Sequence, residues 1–290
     1  MRFCRFNGNR LGLVEGDQII DVTPALEVIP AQRWPLPEHD LLIAHLDEVL
    51  ARATAIKASA PRLPIGSVVF NAPVANPGKI VNAPINYQKH INEAVDDKGI
   101  AHGRELKGKH ITDWGLFLKA TSSLIGFGEE VRLRKPERRN DHEIELAVII
   151  GRTANKVKAA DALKYVAGYS MGLDMTIRGP ELQCFRKSVD TYAVLGPWIV
   201  TADEIADPNN LNLAIWVNGE ARQNANTNDL VYNVNQLIEY ATEWYTLHPG
   251  DVILTGTPEG VGPVKPGDTM TCEIERIGRW DVRIASEFAG

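Results

Sequence analysis

Short alternations of apolar and polar residues, separated by turn residues, dominate this sequence. The first of them flank Asn7-Gly8 and Gly16-Asp17, dipeptides that favour hairpin turns. Similar turns at Asn218-Gly219 and Ile277-Gly278 predict mostly antiparallel pairing in the later part of the chain. The strand-like segments of this later part are KIVNAP, GLFLKAT, EVRLR, EIELAVIIG, GPWIVT, LNLAIWVNG, EARQNA, DVILTG, TMTCEIE and WDVRIAS. Because helices do not alternate regularly with them, the pattern disfavours a doubly wound sheet or a TIM barrel and predicts a strand-rich α+β fold.

Three stretches have the spacing of amphipathic helices, at about residues 40–56, 159–167 and 230–247. The first follows the amino-terminal strands, and the other two interrupt the strands of the main body. The third ends at His248-Pro249-Gly250, a combination that stops a helix. The helices are thus few, and the strands are expected to carry the architecture.

The distribution of proline and glycine predicts where the chain divides. Both residues are concentrated in residues 60–67 and again in 76–78, which predicts a linker. We therefore expect a small amino-terminal β-rich domain with one helix over residues 1–70 and a main domain over residues 71–290. Residues 90–113 are polar and lack clear periodicity. Such a long polar stretch in a compact domain is typical of a disordered segment or of a functional covering loop.

Composition and charge narrow the class of partner. The 290 residues are 44% hydrophobic and 23% charged, a balance typical of a globular protein. The net charge of −6 lacks the basic field that nucleic acid requires. No apolar run approaches the roughly 18 residues of a membrane span, and the amino terminus lacks the apolar stretch of a secretory signal. The scattered Cys4, Cys184 and Cys272 argue against a disulfide framework. We expect a cytoplasmic protein that acts on small molecules, without nucleic-acid or membrane partners.

Three acidic residues are candidates for a metal site. Glu143 and Glu145 begin the apolar segment EIELAVIIG, and residues i and i+2 of a strand share a face. Two carboxylates side by side repel unless a cation lies between them, and Mg²⁺ or Mn²⁺ prefers such oxygen ligands. Asp174 lies in the apolar run YSMGLDMTIRG, where burial of a lone carboxylate is costly. The alternatives are a solvated strand end for the glutamates and an ion pair of Asp174 with Arg178.

Two further signals concern a base and a cation. His90 and Glu93 are neighbours if their segment is helical, and a carboxylate that fixes the tautomer of an imidazole suits a base that activates water. Lys187 lies among apolar and aromatic residues in CFRKSVDTYAVLGPW, where a cation needs an anionic partner. The alternatives are a surface His–Glu pair and a surface lysine whose stem packs on apolar neighbours.

A glycine-rich loop completes the set of candidate elements. The segment DVILTGTPEGVGPVKPGD ends a strand in a loop of Gly, Thr and Pro, without the Gly-Lys-Ser/Thr of a phosphate loop. Glycine-rich backbone can approach a ligand closely and offer N–H groups to a carboxylate. A plain turn is the alternative. Together these segments supply metal ligands, a base, a cation and a cradle for an anion.

Five segments of the sequence, in this order, carry a family resemblance: NAPINYQKHINE, DHEIELAVIIGR, GLDMTIRG, RKSVDTYAVLGPW and LTGTPEGVGPVKPGD. They resemble the characteristic segments of the fumarylacetoacetate hydrolase family, over about residues 79–284. The resemblance implies a mixed β-sandwich roll, a homodimer, a Mg²⁺ or Mn²⁺ site, and chemistry on 2-oxo acids.

The resemblance also implies roles for ten residues. It matches Glu143, Glu145 and Asp174 to the metal ligands, His90, Glu93 and Lys187 to catalytic residues, and Tyr87, Arg178, Gly256 and Thr257 to substrate-contacting positions. It places His90 on a segment that closes over the substrate.

The sequence departs from the family pattern in two places. No acidic residue lies between Lys79 and His90, where the eukaryotic fumarylacetoacetate hydrolase has an additional aspartate ligand, so a three-ligand site of the acylpyruvase kind is expected. The link between Arg178 and Lys187 is short, and Glu181 lies close to where relatives often have glutamine. The inner pocket lining is therefore expected to differ.

The expected activity is metal-dependent hydrolysis of the C–C bond of an acylpyruvate. Maleylpyruvate and fumarylpyruvate, formed after gentisate ring opening, are the preferred substrates. A 2-oxo acid would bind the cation, His90 with Glu93 would deprotonate water, and Lys187 would stabilise developing negative charge. An oxaloacetate decarboxylase, or an isomerase or decarboxylase of 2-hydroxymuconate-type diacids, needs the same metal without the water and is an alternative. A non-catalytic metal- or carboxylate-binding protein is the alternative of another class.

Overall fold

The computed structural model describes residues 1–101 and 108–286, and strands dominate it. The strands of the first half are β1 (Arg2–Phe6), β2 (Arg10–Glu15), β3 (Gln18–Asp21), β4 (Arg62–Pro64), β5 (Phe70–Asn71), β6 (Ile80–Asn82), β7 (Phe117–Lys119), β8 (Leu124–Gly126), β9 (Val131–Leu133) and β10 (Asn140–His142). Those of the second half are β11 (Ile144–Ile150), β12 (Val166–Asp174), β13 (Thr176–Ile177), β14 (Ala193–Thr201), β15 (Asn212–Val217), β16 (Glu220–Asn226), β17 (Val252–Leu254), β18 (Gly262–Pro263), β19 (Thr269–Ile274) and β20 (Gly278–Ser286).

The helices are short. They are α1 (Leu41–Ala44), α2 (Leu46–Ile56), α3 (Gln88–Asp96), α4 (Lys98–Ala101), α5 (Ile111–Trp114), α6 (Gln183–Arg186) and α7 (Val234–Trp244). The 3₁₀-helices are Thr23–Val28, Ile65–Ser67, Thr121–Ser123, Ala159–Tyr165, Ala202–Glu204 and Thr227–Asp229. No helix within the described residues is both long and apolar enough to cross a lipid bilayer.

One large sheet runs through the molecule, in the order β4-β3-β2-β1-β14-β12-β11-β17-β6-β7, with β5 beside β1 and β8 beside β14. The amino-terminal strands join it because β1 pairs antiparallel with β14, with Phe3 opposite Ile199. Most pairs are antiparallel, as predicted, but β6 with β17 and β8 with β14 are parallel. The sheet is therefore mixed. The division into domains of residues 1–70 and 71–290 stays a prediction.

Two hydrophobic cores lie on opposite faces of this sheet. On β11, Ile144, Leu146 and Val148 belong to the larger core, which also contains residues of the five-stranded sheet β16-β15-β19-β20-β9. Ala147 and Ile149 alternate with them and belong to the second core, with residues of β1–β3, α1 and α2. This period of two is the reason why β11 is buried on both faces. The predicted strand-rich α+β class is confirmed.

Three boundary predictions were wrong. Residues 60–67 are not a plain linker, since β4 pairs with β3 at the edge of the large sheet. The helix predicted at residues 159–167 is a 3₁₀-helix that ends at Tyr165, because β12 begins at Val166. The helix predicted at residues 230–247 begins only at Val234, where Asn233 caps it through the Gln236 N–H.

The lack of periodicity expected for residues 90–113 was wrong at α3, whereas their closing over a substrate stays a prediction. This amphipathic helix buries His90, Ile91 and Ala94. Ala94 packs with Ile100, Ala101 and Val261 in a small apolar cluster. Four apolar residues separated by polar ones give too weak a pattern to predict this packing from the sequence. Residues 102–107 of the stretch lie outside the described residues.

Candidate metal and catalytic site

Three carboxylates are brought together by the register of β11 and β12. Ile144 is opposite Leu173, and the Asp174 N–H donates to the Glu143 carbonyl, so Glu143 lies opposite Asp174. Glu145 emerges two residues further along, on the same face. One oxygen of each carboxylate lies within 4.8 Å of those of the other two, and all three side chains are buried. We call Glu143, Glu145 and Asp174 the carboxylate triad.

Two buried lysines contact the triad. The Lys187 Nζ lies 2.6 Å from Glu143 Oε2 and 2.5 Å from Asp174 Oδ2. The Lys119 Nζ lies 2.5 Å from Asp174 Oδ1 and 3.4 Å from the Met175 carbonyl oxygen. Lys187 is 4% exposed, so the alternative of a surface lysine is wrong. Its burial follows from the ion pairs with two carboxylates, which offset the loss of hydration.

Arg178 does not form the ion pair with Asp174 that the sequence left open. Its Nη2 donates to Glu143 Oε1 at 2.8 Å, and its Nε donates to Asp141 Oδ2 at 2.8 Å. Asp174 forms its ion pairs with Lys187 and Lys119 instead. Arg178 therefore orients Glu143 and borders the triad, while its proposed contact with substrate stays a prediction.

Glu143 and Glu145 differ in how well neighbouring cations compensate their charge. Burial opposes ionisation of Glu143, but Lys187 and Arg178 outweigh it and hold the pKa of Glu143 well below its usual range. Burial and the neighbouring Asp174 carboxylate raise the pKa of Glu145 well above its usual range. Burial alone would lower the pKa of Lys187, but Asp174 and Glu143 raise it. Glu143 and Lys187 thus form a stable ion pair, whereas Glu145 is poorly compensated.

Glu145 shows that the triad fits a divalent cation. It accepts a hydrogen bond from the Gly256 N–H at 2.7 Å, and no salt bridge reaches it within the described part of the chain. Its oxygens nevertheless lie beside those of Glu143 and Asp174. A hard divalent cation among these three oxygens would remove the repulsion, and an all-carboxylate donor set is the kind that Mg²⁺ or Mn²⁺ prefers.

His90 and Glu93 form a hydrogen-bonded pair on α3. The His90 Nδ1 lies 2.8 Å from Glu93 Oε2, as the i, i+3 spacing of a helix requires. Glu93 Oε1 accepts the Gly260 N–H at 2.9 Å, which ties the pair to the glycine-rich loop. Gly260 has φ +91°, and a Cβ there would lie 2.0 Å from the Arg222 carbonyl oxygen, so only glycine fits. Because Glu93 occupies Nδ1, Nε2 is the ring nitrogen that remains for a substrate water.

His90 and the triad residue Glu143 line one narrow cavity. Its volume is about 40 Å³, and α3 and α4 cover it. The described residues that line it are Pro84, Ile85, His90, Ala94, Ile100, Ala101, Glu143, Arg178, Gln183, Arg186 and Lys187. Such a volume holds water but not a 2-oxo diacid. A substrate of that size therefore requires the cavity to widen.

Among the remaining predicted substrate residues, Thr257 and Gly256 form hydrogen bonds with protein groups and the Tyr87 hydroxyl does not, within the described part of the chain. Thr257 donates its hydroxyl hydrogen to the Ile144 carbonyl and accepts a hydrogen bond from Gln223 Nε2. The Gly256 N–H is directed at the triad, as described above. Tyr87 is 1% exposed, and its hydroxyl has no hydrogen-bond partner among the described residues. Contacts of these three residues with substrate stay predictions.

Sequence reasoning missed Lys119, Gln183 and Arg186. Lys119 interrupts the apolar alternation of GLFLKAT, the same signal that identified Asp174. Gln183 and Arg186 lie in the short link that was recognised as unusual, but their position on the cavity wall depends on the turn of α6. Glu181 of the same link is bound instead by Arg138, at 2.9 and 3.0 Å.

Comparison with known proteins identifies the family of the chain. Residues 79–285 match the family described as fumarylacetoacetate (FAA) hydrolase C-terminal. A maleylpyruvate hydrolase of Aquipseudomonas alcaligenes is 56% identical over 286 residues, which cover 99% of this chain and 100% of the relative. A mitochondrial oxaloacetate tautomerase of Homo sapiens is 39% identical over 237 residues, which cover 77% of this chain and 72% of the relative.

Solved structures give the same result for the fold. The crystal structure of maleylpyruvate hydrolase from Sphingobium sp. SYK-6 superposes with a TM-score of 0.83 at 41% identity, covering 99% of this chain and 100% of the other. A second structure of that protein, in complex with manganese(II) ion and pyruvate, matches with a TM-score of 0.83 at 40% identity over the same shares. The motifs, the site geometry and these matches agree, and the chain belongs to the fumarylacetoacetate hydrolase family.

Proposed function

We propose that the protein is a metal-dependent hydrolase that cleaves the C–C bond of an acylpyruvate of the maleylpyruvate or fumarylpyruvate type. The observation that carries this proposal is that His90, which is hydrogen-bonded to Glu93, lines the same cavity as Glu143. A site that only stabilises an enolate needs the triad, whereas hydrolysis also needs a base for water. The identity of 56% with a maleylpyruvate hydrolase supports this reaction.

The carboxylate triad would hold the Mg²⁺ or Mn²⁺ ion. Its oxygens fit such an ion for the reasons given above, and a related maleylpyruvate hydrolase binds manganese(II) together with pyruvate. When bound, the ion supplies Lewis-acid stabilisation for negative charge on the 2-oxo group.

The protein residues perform the proton transfers. His90, held by Glu93, takes a proton from water at Nε2, and the resulting hydroxide attacks the carbonyl distal to the 2-oxo acid. The C–C bond between that carbonyl and the pyruvate methylene then breaks, and the electron pair remains on the pyruvate fragment. Lys187, whose ammonium is buried, stabilises the negative charge. The pyruvate enolate then takes up the proton that His90 removed from water, so His90 is neutral again, one water is consumed, and pyruvate and a second acid are released.

A second candidate is isomerisation or decarboxylation of an oxaloacetate- or hydroxymuconate-type diacid. The 39% identity with an oxaloacetate tautomerase favours it. These reactions need no hydrolytic water, so they leave the His90–Glu93 pair without the role of a water-activating base. In a non-catalytic binding protein, the His90–Glu93 pair would have no catalytic role at all.

Product analysis tests the proposal. The protein is loaded with Mn²⁺ and offered maleylpyruvate, fumarylpyruvate, acetylpyruvate and oxaloacetate in turn. We expect pyruvate together with an equal amount of maleate or fumarate from the first two substrates. Release of CO₂ from oxaloacetate without hydrolysis of any acylpyruvate would favour decarboxylation. Binding of Mn²⁺ without turnover of any of the four would favour the non-catalytic alternative.

We further propose a physiological setting. The protein would act in the cytoplasm, in aromatic catabolism after gentisate ring opening, as a homodimer. The free Cys4, Cys184 and Cys272 support a reducing compartment. Light scattering of the purified protein tests the dimer, and growth of a deletion strain on gentisate tests the pathway.

A further inference from the structure

Gln223 is a buried amide in a strand that is otherwise exposed or half-buried. Of the seven residues of β16, all of which the structure describes, it alone is buried, and it is 1% exposed. Burial of an amide is costly unless its polar atoms are hydrogen-bonded. The proposed mechanism gives this side chain no role, so its burial calls for another reason.

All four hydrogen-bonding positions of the Gln223 amide are used. Its Oε1 accepts from the Ile144 N–H at 3.1 Å and from His142 Nδ1 at 3.2 Å. Its Nε2 donates to Thr257 Oγ1 at 2.8 Å and to the Pro258 carbonyl at 2.7 Å. Because a backbone N–H can only donate and a carbonyl can only accept, these contacts determine which end of the amide is the oxygen. The side chain therefore has one orientation.

The groups that Gln223 binds belong to the two segments that form the metal site. Ile144 lies between the two glutamates of the triad. Thr257 directly follows Gly256, whose N–H donates to Glu145 at 2.7 Å. One side chain from the five-stranded sheet thus binds both the strand that carries the glutamates and the loop that contacts one of them.

The backbone of β11 requires such side chains because the neighbouring strand β17 ends early. Its last residue, Leu254, lies opposite Ala147. At Ile144, three residues before Ala147, the N–H donates instead to Gln223, and the carbonyl accepts from the Thr257 hydroxyl at 2.9 Å. Two side chains therefore continue the hydrogen bonds of the sheet to the end of the strand that holds the glutamates.

We propose that Gln223 is a positioning residue of the metal site. It holds the backbone between the two glutamates against the loop of residues 256–258, and so fixes the geometry in which their carboxylates meet a divalent cation. Its four bonds are all to protein groups, so it acts through β11 and this loop. Side chains that orient metal ligands typically contribute about 10- to 100-fold to metal affinity. The inference rests on the proposed function, which places the cation in the triad.

Gln223→Met tests the proposal, because methionine has a similar length and no amide. We expect its dissociation constant for Mn²⁺, measured by titration calorimetry, to increase about 10- to 100-fold. Gln223→Asn keeps the amide but is one methylene too short to reach both segments, and it should weaken Mn²⁺ binding as well. Asn224→Ala, at the exposed neighbouring amide of β16, is the matched control and should keep the wild-type value.

A second control separates positioning from a general structural role. Thr227 directly follows β16 and is buried, and its hydroxyl binds the Leu211 N–H and the Pro208 carbonyl, both at 2.9 Å. Thr227→Val should lower the melting temperature at unchanged Mn²⁺ affinity, whereas Gln223→Met should lower both. Equal weakening of Mn²⁺ binding in these two variants would overturn the proposal. If Gln223→Met does not fold, Gln223→Asn decides by the same comparison.

A double-mutant cycle tests whether the effect passes through Ile144. Thr257→Val removes the hydroxyl that binds both Gln223 and the Ile144 carbonyl. Because both side chains hold the same strand end, the fold-loss of Mn²⁺ affinity in the double variant should be smaller than the product of the two single losses. A loss equal to that product would mean independent effects and would overturn the shared link.

Hydrolysis assays separate this inference from the proposed activity. If wild type hydrolyses no acylpyruvate, but Gln223→Met still weakens Mn²⁺ binding more than Thr227→Val does, the proposed activity fails and the positioning role stands. If hydrolysis occurs, but Mn²⁺ affinity is the same in Gln223→Met and wild type, the activity stands and the positioning role is overturned.

Discussion

At the scale of single residues, the two glutamates of the triad differ although they share a strand face. Glu143 is paired with Arg178 and Lys187, whereas no salt bridge to Glu145 exists within the described residues. The same substitution should therefore have opposite effects at the two positions. In metal-free protein we expect Glu145→Gln to stabilise the fold by about 1 kcal/mol, because it removes a repelling charge. Glu143→Gln should destabilise it by about 3 kcal/mol, because it leaves buried cations without their partner.

The raised pKa of Glu145 also determines the direction in which the stability of the metal-free protein changes with pH. The folded-state pKa of Glu145 lies above its usual value, chiefly through burial and Asp174. Between the unfolded and the folded pKa, the native state therefore holds more protons than the unfolded state, so stability falls as pH rises. Thermal unfolding of metal-free protein should show this fall in wild type and a weaker one in Glu145→Gln. Both variants should lose Mn²⁺ binding in titration calorimetry. Equal signs for the two substitutions would contradict the uneven electrostatics.

His90→Asn tests the base. We expect hydrolysis to fall by about 100-fold or more while Mn²⁺ binding is kept, since His90 is not part of the triad. His39→Asn, at a histidine that does not line the cavity, is the control and should keep full activity. Single-turnover rates and metal titration give both readouts. A rate unchanged in His90→Asn would assign proton abstraction to another group.

Sequence reasoning found the residues of the site that interrupt a regular pattern. Glu143, Glu145 and Asp174 were recognised because carboxylates stand in apolar strands. Lys119 carried the same signal and was missed, because nothing in the sequence shows that β7 lies within reach of Asp174. Arg186 gave no such signal in the sequence, since its burial depends on a four-residue helix and on the tertiary structure around it.

At the scale of elements, a chain of ion pairs connects the covering helices to the triad. Asp97, between α3 and α4, accepts from Arg139 Nη1 at 2.8 Å, and Arg139 Nε donates to Asp141 at 2.8 Å. Asp141 binds Arg178, which binds Glu143. The apolar cluster under these helices is small, and the Asp97–Arg139 ion pair adds a further contact that holds them in place. The covering helices are thus connected to Glu143 through this chain of ion pairs, and their His90 lines the same cavity as Glu143.

Asp97→Asn should loosen the covering helices without affecting the metal. The side chain of Asp97 is 39% exposed, so its ion pair contributes at most about 1 kcal/mol. We expect hydrogen exchange in α3 and α4 to become about two- to fivefold faster, at unchanged Mn²⁺ affinity. Asp96→Asn, at the exposed neighbour on α3, is the control and should change neither. Equal exchange rates in Asp97→Asn and wild type would show that the ion pair between Asp97 and Arg139 does not hold these helices in place.

The same helices should respond to ligand. Because the cavity is too small for a substrate, it must widen to admit one, and the covering helices are expected to open for it and close afterwards. We expect slower hydrogen exchange in residues 88–101 when oxalate or pyruvate is added to the Mn²⁺-loaded protein. Exchange in β11, which is buried on both faces, should not change and serves as the internal control. Equal protection of residues 88–101 with and without ligand would mean that these helices stay closed.

Strands were predicted correctly where the apolar–polar alternation extends over many residues. The prediction failed where the strand is short. The strands of the two hairpins at Asn7-Gly8 and Asn218-Gly219 lie where the alternation predicts them. The edge strand β4 has only three residues, the last of which is Pro64, and Pro61 precedes it. This composition is typical of a linker. The pairing of β4 with β3 depends on a strand that is distant in the sequence.

At the scale of the whole molecule, the amino-terminal segment and the site share one core. Phe3 of β1 is fully buried in the second core, together with Ala147 and Ile149 of β11. These two residues continue the strand face that carries Glu143 and Glu145. The strands that hold the triad are thus supported by the first seventy residues of the chain.

This continuity predicts how the protein unfolds. We expect one cooperative transition for the whole chain, with Phe3→Ala lowering its free energy of unfolding by about 3–5 kcal/mol, because it leaves a cavity between β1 and β14. Trp34→Ala, at a side chain 91% exposed, is the matched control and should change it by less than about 0.5 kcal/mol. A chain that lacks residues 1–70 should neither unfold cooperatively nor bind Mn²⁺, because the edge of β14 and the second core would be open to water. Calorimetry and metal titration check both statements. If the shortened chain unfolds cooperatively and binds Mn²⁺ as tightly as the whole protein, residues 71–290 are an independent domain and the shared core is dispensable for the site.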